Sequence, residues 1–146
     1  MKAFRFSLEQ VRLWRNEQAE LEELKLQRIY IELHELRSLA QRVQAEADQA
    51  AQTVLTGPSA EAHELAMLDS FRDYTRNRLK QIAAQTVECQ GRAGAQRQKL
   101  IDAQRQFELL DKLKTKTMAG WRLGRDKEQE ELAAELFLAK RTRDRD

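Results

Sequence analysis

The stretch Leu55-Thr56-Gly57-Pro58-Ser59-Ala60-Glu61 decides how this 146-residue chain folds. It holds the only proline and one of just five glycines. Glycine tolerates φ > 0 where a helix ends, and proline cannot continue the helix that precedes it. No comparable punctuation occurs on either side, so the chain reads as helix 1, a hinge over 56–59, and helix 2. Sheet and loop-rich folds draw on many turn residues, which this sequence lacks. The expected fold class is all-α: a two-helix antiparallel coiled-coil hairpin with a longer, overhanging second helix, forming one coiled-coil domain over 1–146.

Working outward, Ser7 is the expected N-cap of helix 1, with Gln10 completing a capping box and Phe6 stapling against Val11. Helix 1 should begin at Leu8 and run to about Leu55, roughly 70 Å at 1.5 Å per residue. Beyond the hinge Ser59 is a second N-cap, and Glu61 and Glu64 sit near the positive end of the helix dipole. Helix 2 should span about 60–140, roughly 120 Å. Charged residues make up 34% of the chain, hydrophobic ones 41%, and the mean hydropathy is −0.76, which suits a thin seam better than a thick core.

The seam follows from the 3,4 spacing of apolar residues. In helix 1 it runs Leu26, Ile29, Leu33, Leu36, Ala40, Val43, Ala47, Ala50 and Val54. Val11, Trp14 and Leu21 lie one residue out of that phase, which predicts a drift or stutter near the N-terminal end. The helix 2 register starts at Leu65 and Leu68, passes through Thr75, Ile82, Cys89 and Gln96, and ends at Phe107, Leu110, Lys114, Thr117 and Trp121. Polar members weaken it and help fix register. Gly91 and Gly94 each weaken the helix by about 1 kcal/mol, which predicts a bend or soft spot there.

A tight hinge makes residues equidistant from it face each other, so Leu8 is expected near Phe107. Everything beyond about 108 then overhangs, leaving Leu110, Leu113, Trp121, Leu132, Leu136, Phe137 and Leu138 in need of another partner. The net charge of +2 conceals an uneven distribution, because residues 90–127 carry ten basic and four acidic side chains. That local +6 is either a solvated face or a surface for an acidic protein; interleaved aromatics for stacking on nucleic acid are absent.

Chemistry is scarce. Two helices offer little concavity for a catalytic site, so no enzyme activity, cofactor or metal is expected. His34 and His63 have no second ligand at i+3 or i+4. Cys89 has no cysteine partner, and its neighbour Glu88 disfavours a thiolate nucleophile, so the residue reads as an apolar filler. Gly91-Arg92-Ala93-Gly94 lacks the Gly-Lys-Ser/Thr ending of a phosphate loop. Glu22-Glu23 and Glu130-Glu131 point about 100° apart on a helix and suit solubility. No secretory leader or membrane span is read, and the expectation is a full-length cytosolic chain. Met67, Phe71 and Tyr74, with Arg78 beyond, form a stripe that serves either a broadened interface with helix 1 or the docking of a partner.

Together these pieces resemble a known family. Phe4-Arg5-Phe6-Ser7-Leu8-Glu9-Gln10-Val11 opens a helix, an antiparallel coiled coil follows, and Lys112-Leu113-Lys114 precedes Trp121-Arg122 and Lys127-Glu128-Gln129-Glu130-Glu131-Leu132. This order over essentially the whole chain resembles the flagellar export stalk proteins called FliJ, with the injectisome stalks as more distant relatives. Gly91 and Gly94 depart from the family pattern. The resemblance implies a non-enzymatic cytoplasmic component of type III export, associated peripherally with the inner membrane through the export apparatus. Its partners would be the hexameric export ATPase FliI, the export gate protein FlhA and export chaperones, without nucleic acid or direct membrane insertion. It places Arg12, Arg15, Trp121, Arg122 and Arg125 at the ATPase and Met67, Phe71 and Tyr74 at the gate. The alternative is a generic cytosolic coiled-coil adaptor or scaffold.

Overall fold

The computed structural model describes residues 1–57 and 61–145. It is all-α: helix α1 (Glu9–Leu55, 47 residues) packs against a longer helix α2 (Ala62–Arg143, 82 residues) as a helical hairpin, with no strand among the described residues. The expected boundaries lie within a few residues of these. No helix among the described residues is long and apolar enough to cross a membrane.

Local chemistry at the helix ends differs from the expected caps. The first turn of α1 is entered through backbone bonds, Glu9 N–H to Phe6 O at 3.1 Å and Arg12 N–H to Leu8 O at 2.9 Å. The helix starts at Glu9 rather than Leu8, and the Ser7 hydroxyl makes no hydrogen bond among the described residues. At the other end Thr56 donates both its backbone N–H, at 3.0 Å, and its hydroxyl to the Gln52 carbonyl. That closes the last turn without a left-handed residue, and no described glycine, Gly57 included, has positive φ. Pro58 and the expected cap Ser59 lie outside the described residues. At the start of α2 the Glu61 carbonyl accepts from Leu65 N–H at 3.1 Å.

Two compact units divide the chain, Leu21–Leu100 and Met1–Glu20 with Ile101–Asp146. In the first, Leu26, Leu33 and Ala47 are buried along α1, and Leu68, Thr75, Ile82, Cys89, Ala93 and Gln96 along α2. Most of these recur every seven residues, the period of a left-handed coiled coil. Cys89, fully buried, directs its thiol to the Ile29 carbonyl at 3.6 Å. Thr75 is tolerated in the seam because its hydroxyl donates to Phe71 O within its own helix at 2.9 Å. Gln96 donates one amide hydrogen to Glu22 O at 3.0 Å and contacts the Glu22 carboxylate as well. Arg92 pairs with Glu32 at 2.8 Å. Helix α2 continues unbroken through Gly91 and Gly94, and a Cβ at either would meet nothing within 4 Å.

The terminal unit is built differently. Its one buried residue among those described is Ala19. Val11 and Trp14, and Leu21 just beyond, are all more than 40% exposed, whereas Glu9, Arg12, Arg15, Asn16 and Gln18 are half-buried. The expected stutter is therefore absent: Arg12, Arg15, Ala19, Glu22 and Leu26 keep the 3,4 phase of α1, and the out-of-phase apolar residues simply face outward. On α2 the half-buried positions follow the expected register to Lys114, then take Met118 in place of Thr117 before Trp121.

Pairing also reaches further along α2 than the mirror rule placed it. Arg12, not Leu8, lies over the Phe107 ring, at 5.7 Å, and residues 1–6 continue as non-helical chain beside α2. Lys2 O accepts from Trp121 Nε1–H at 3.2 Å, and the Met1 amino group stands 3.7 Å from Glu128. The uncovered stretch consequently begins near Asp126 rather than 108, and every described residue from there onward is exposed.

Candidate functional site

All five residues assigned to the ATPase end fall in the terminal unit, Met1–Glu20 with Ile101–Asp146. Their side chains do different things. Arg12 forks onto Glu9 (Nη2–Oε1 2.8 Å, Nε–Oε2 3.1 Å) and reaches Asp111 at 3.2 Å. Lys114 closes the cluster on Glu9 at 3.0 Å. The hydrogen bond from Arg12, followed by that from Lys114, holds the Glu9 carboxyl down at about 2. Reciprocally, Glu9 raises the pKa of the Arg12 guanidinium. Arg15 donates to Gln106 Oε1 and lies 4.7 Å from the Trp14 ring. Arg12 and Arg15 are thus internal fasteners of this unit.

Trp121 is not bare, contrary to the expectation that nothing within the chain covers it. Phe4 packs against its ring in a tilted arrangement, with centroids 6.0 Å apart and planes at 55°, and Lys2 O takes its indole N–H. Arg125 lies 5.3 Å from the same ring and pairs with Asp126 at 2.9 Å. Arg122 is exposed and has no ion pair among the described residues. Further along, Leu132, Leu136, Phe137 and Leu138 are 57–68% exposed, on a helix that ends in Lys140, Arg141 and Arg143.

The second candidate surface belongs to Leu21–Leu100. Met67 is 61% and Tyr74 60% exposed. Phe71 stacks with Tyr74, centroids 6.4 Å apart at 27°. Met67 and Phe71 also border a cleft of about 630 Å³ between the helices, shared with Ala50, Thr53, Val54, Gly57, Glu64 and Leu68. The sequence reading assigned Val54 and Leu68 to the seam and missed the cleft.

A third feature escaped the sequence reading. Leu21, Leu24 and Ile31 are 49–59% exposed on α1, at spacings of three and seven residues, which puts them on one outward stripe. The periodicity is visible in the sequence but is overshadowed by the stronger seam. His34 and His63 are exposed, and no cluster of metal-binding side chains occurs among the described residues. Comparison with protein families, with characterised proteins and with solved structures found no match.

Proposed function

We propose that the chain is a non-enzymatic stalk component of a type III protein export apparatus. In that role it would insert in and stimulate the hexameric export ATPase, link it to the export gate and bind export chaperones. The observation that carries this reading is the end of α2. From Asp126 to Arg143 it stays helical while all its side chains are exposed, with Leu132, Leu136, Phe137 and Leu138 uncovered beside charged neighbours. A narrow helix with a few apolar anchors suits the pore of a ring, and the basic excess over 90–127 suits an acidic lining. Arg122 and Arg125 are the exposed or half-exposed cations of this region, whereas Arg12 and Arg15 act through the shape of the unit they fasten. Association with the inner membrane would be peripheral, through the apparatus.

Such a stalk touches no nucleotide. It biases the ring by contacting some of its conformations better than others, since only differential affinity shifts an equilibrium. Purified protein is expected to raise the ATPase rate of its cognate export ATPase, and Arg122→Glu with Arg125→Glu to reduce that stimulation while helicity is retained. No stimulation of a folded, assembled ring overturns the proposal. Met67→Asp with Phe71→Asp is expected to weaken binding to the gate's cytoplasmic domain, and unchanged binding removes those residues from the gate.

The exposed stripe Leu21, Leu24 and Ile31 favours a second reading, a cytosolic coiled-coil adaptor that takes a further helix along α1. Capture of the export ATPase by this chain in a pull-down separates the two.

A further inference from the structure

The cleft between the two helices near Gly57 is lined mostly by apolar side chains, with Glu64 as the one charged residue in its wall. Its walls are Ala50, Thr53 and Val54 on α1 and Glu64, Met67, Leu68 and Phe71 on α2. These are i, i+3, i+4 positions on one helix and i, i+3, i+4, i+7 on the other, so the walls are two helix ridges with a groove between them. Between Arg42 and Arg72 the chain carries no lysine or arginine, but it carries Glu46, Asp48, Glu61, Glu64 and Asp69. None of the five has an ion pair among the described residues; Asp48 accepts a hydrogen bond from Gln44 at 3.0 Å. Asp48 shares a neighbouring pocket with Arg72 and Arg76, which leaves Glu64 in the cleft wall and Glu61 three residues before it as the acidic groups that select the partner's charge as well as its shape.

We infer that this cleft is a docking site for a basic amphipathic helix of another protein, one that presents two apolar anchors a turn apart between flanking lysines or arginines. The wall from Glu64 to Phe71 is about two turns, or roughly 10 Å, long, which admits two anchors at i and i+4. Met67 is exposed, and a flexible thioether adapts its packing to an incoming side chain. The same carboxylates repel the phosphates of nucleic acid and of anionic lipid, so neither fits this end of the molecule. The site shares Met67 and Phe71 with the surface proposed for the gate, but its test uses a peptide alone, so the two readings fail separately.

The test uses the full chain and a fluorescent peptide of about four helical turns carrying Leu at i and i+4 between lysines. A control peptide has every lysine replaced by glutamate. Anisotropy titration at low salt is expected to give saturable binding of the basic peptide, at least about tenfold tighter than the acidic one and weakened by added salt. Met67→Ser with Phe71→Ser is expected to weaken it by about tenfold. Glu61→Lys with Glu64→Lys is expected to transfer the preference to the acidic peptide, which a purely structural role of these exposed glutamates would not produce. Absence of saturable binding, equal affinity for both peptides, or a preference unmoved by the charge swap overturns the proposal. Self-association of the chain that Phe71→Asp abolishes would also overturn it, by naming a second copy as the occupant.

Discussion

Leu21–Leu100 and the terminal unit use the same two-helix scheme with different fasteners. In the first, leucine, isoleucine, alanine and cysteine fill the seam, and its polar members Thr75 and Gln96 have their hydrogen bonds made. In the second, Arg12, Glu9, Asp111 and Lys114 make the crossing contacts, supported by Arg12 over Phe107 and by Phe4 on Trp121. Apolar burial is worth about 25 cal/mol per Å² and is insensitive to moderate salt, whereas exposed ion pairs contribute little and are screened. The contrast separates a durable scaffold from a part whose pairing responds to conditions.

Removing an apolar fastener should do the most damage. Ile82, 4% exposed, sits in the seam of Leu21–Leu100. Ile82→Ala is expected to cost about 2–4 kcal/mol in denaturant unfolding, through lost burial and the cavity left behind. A loss under about 1 kcal/mol would show that this seam is not the main source of stability.

Substitution in the opposite direction should help by less. Gly91→Ala and Gly94→Ala add a methyl in open space within a continuous helix, and each is expected to raise stability by about 1 kcal/mol. A fall in melting temperature would mean that flexibility at this point is required by the packing around it.

The smallest effect is confined to the terminal unit and depends on pH. The Glu9 carboxyl is lowered from its ordinary 4.5 to about 2, first by Arg12 and then by Lys114. A depressed carboxylate contributes its full stabilisation above the unfolded value, near 4.5, and loses it as the pH falls through about 2. Trp14 and Trp121 both lie in this unit, so their fluorescence reports on it while circular dichroism reports on all the helix. On acidification from pH 5 to 2 the fluorescence is expected to change before helicity is lost. Arg12→Ala removes the largest cause of the shift and should move that change to higher pH. Coincident transitions would deny the two units their separate behaviour.

The seam of Leu21–Leu100 was legible because its positions carry the residues that periodicity detects, from Leu26 to Val54 without a polar intruder. Phase misled the reading further along. Val11, Trp14 and Leu21 look like the seam by hydrophobicity, yet a continuous α-helix keeps the phase set by its best-packed stretch, and Arg12 and Arg15 fall on that phase. Long arginine stems pack over apolar neighbours while their heads find carboxylates, so a seam can consist of residues that no hydrophobicity scale selects. Trp121 was misplaced for another reason. Facing positions are offset from equal counting out of the hinge: Glu9 meets Lys114 and Lys2 meets Trp121, each eight residues beyond its mirror position. Exposure of Met67 and Tyr74 was legible only as one of two alternatives, because the spacing that places them off the seam does not show how closely the helices approach there.

The arm that lies on Trp121 has a consequence for how the chain comes together. Contacts in the molecule span sequence distances that grow steadily, from 60 residues for Ile29 and Cys89 to 119 for Lys2 and Trp121. Loop-closure entropy rises with that distance, so contacts nearest the connection form at least cost, and each one shortens the loop left to close for the next. Folding should therefore run as a zipper, with Lys2 and Phe4 closing at the far end of its travel. On the ribosome those residues emerge more than a hundred positions ahead of Trp121, and Phe4 and Phe6 stay uncovered through that interval. The arm is thus made well before the stretch of α2 that covers it, and its aromatics wait through that interval for their place.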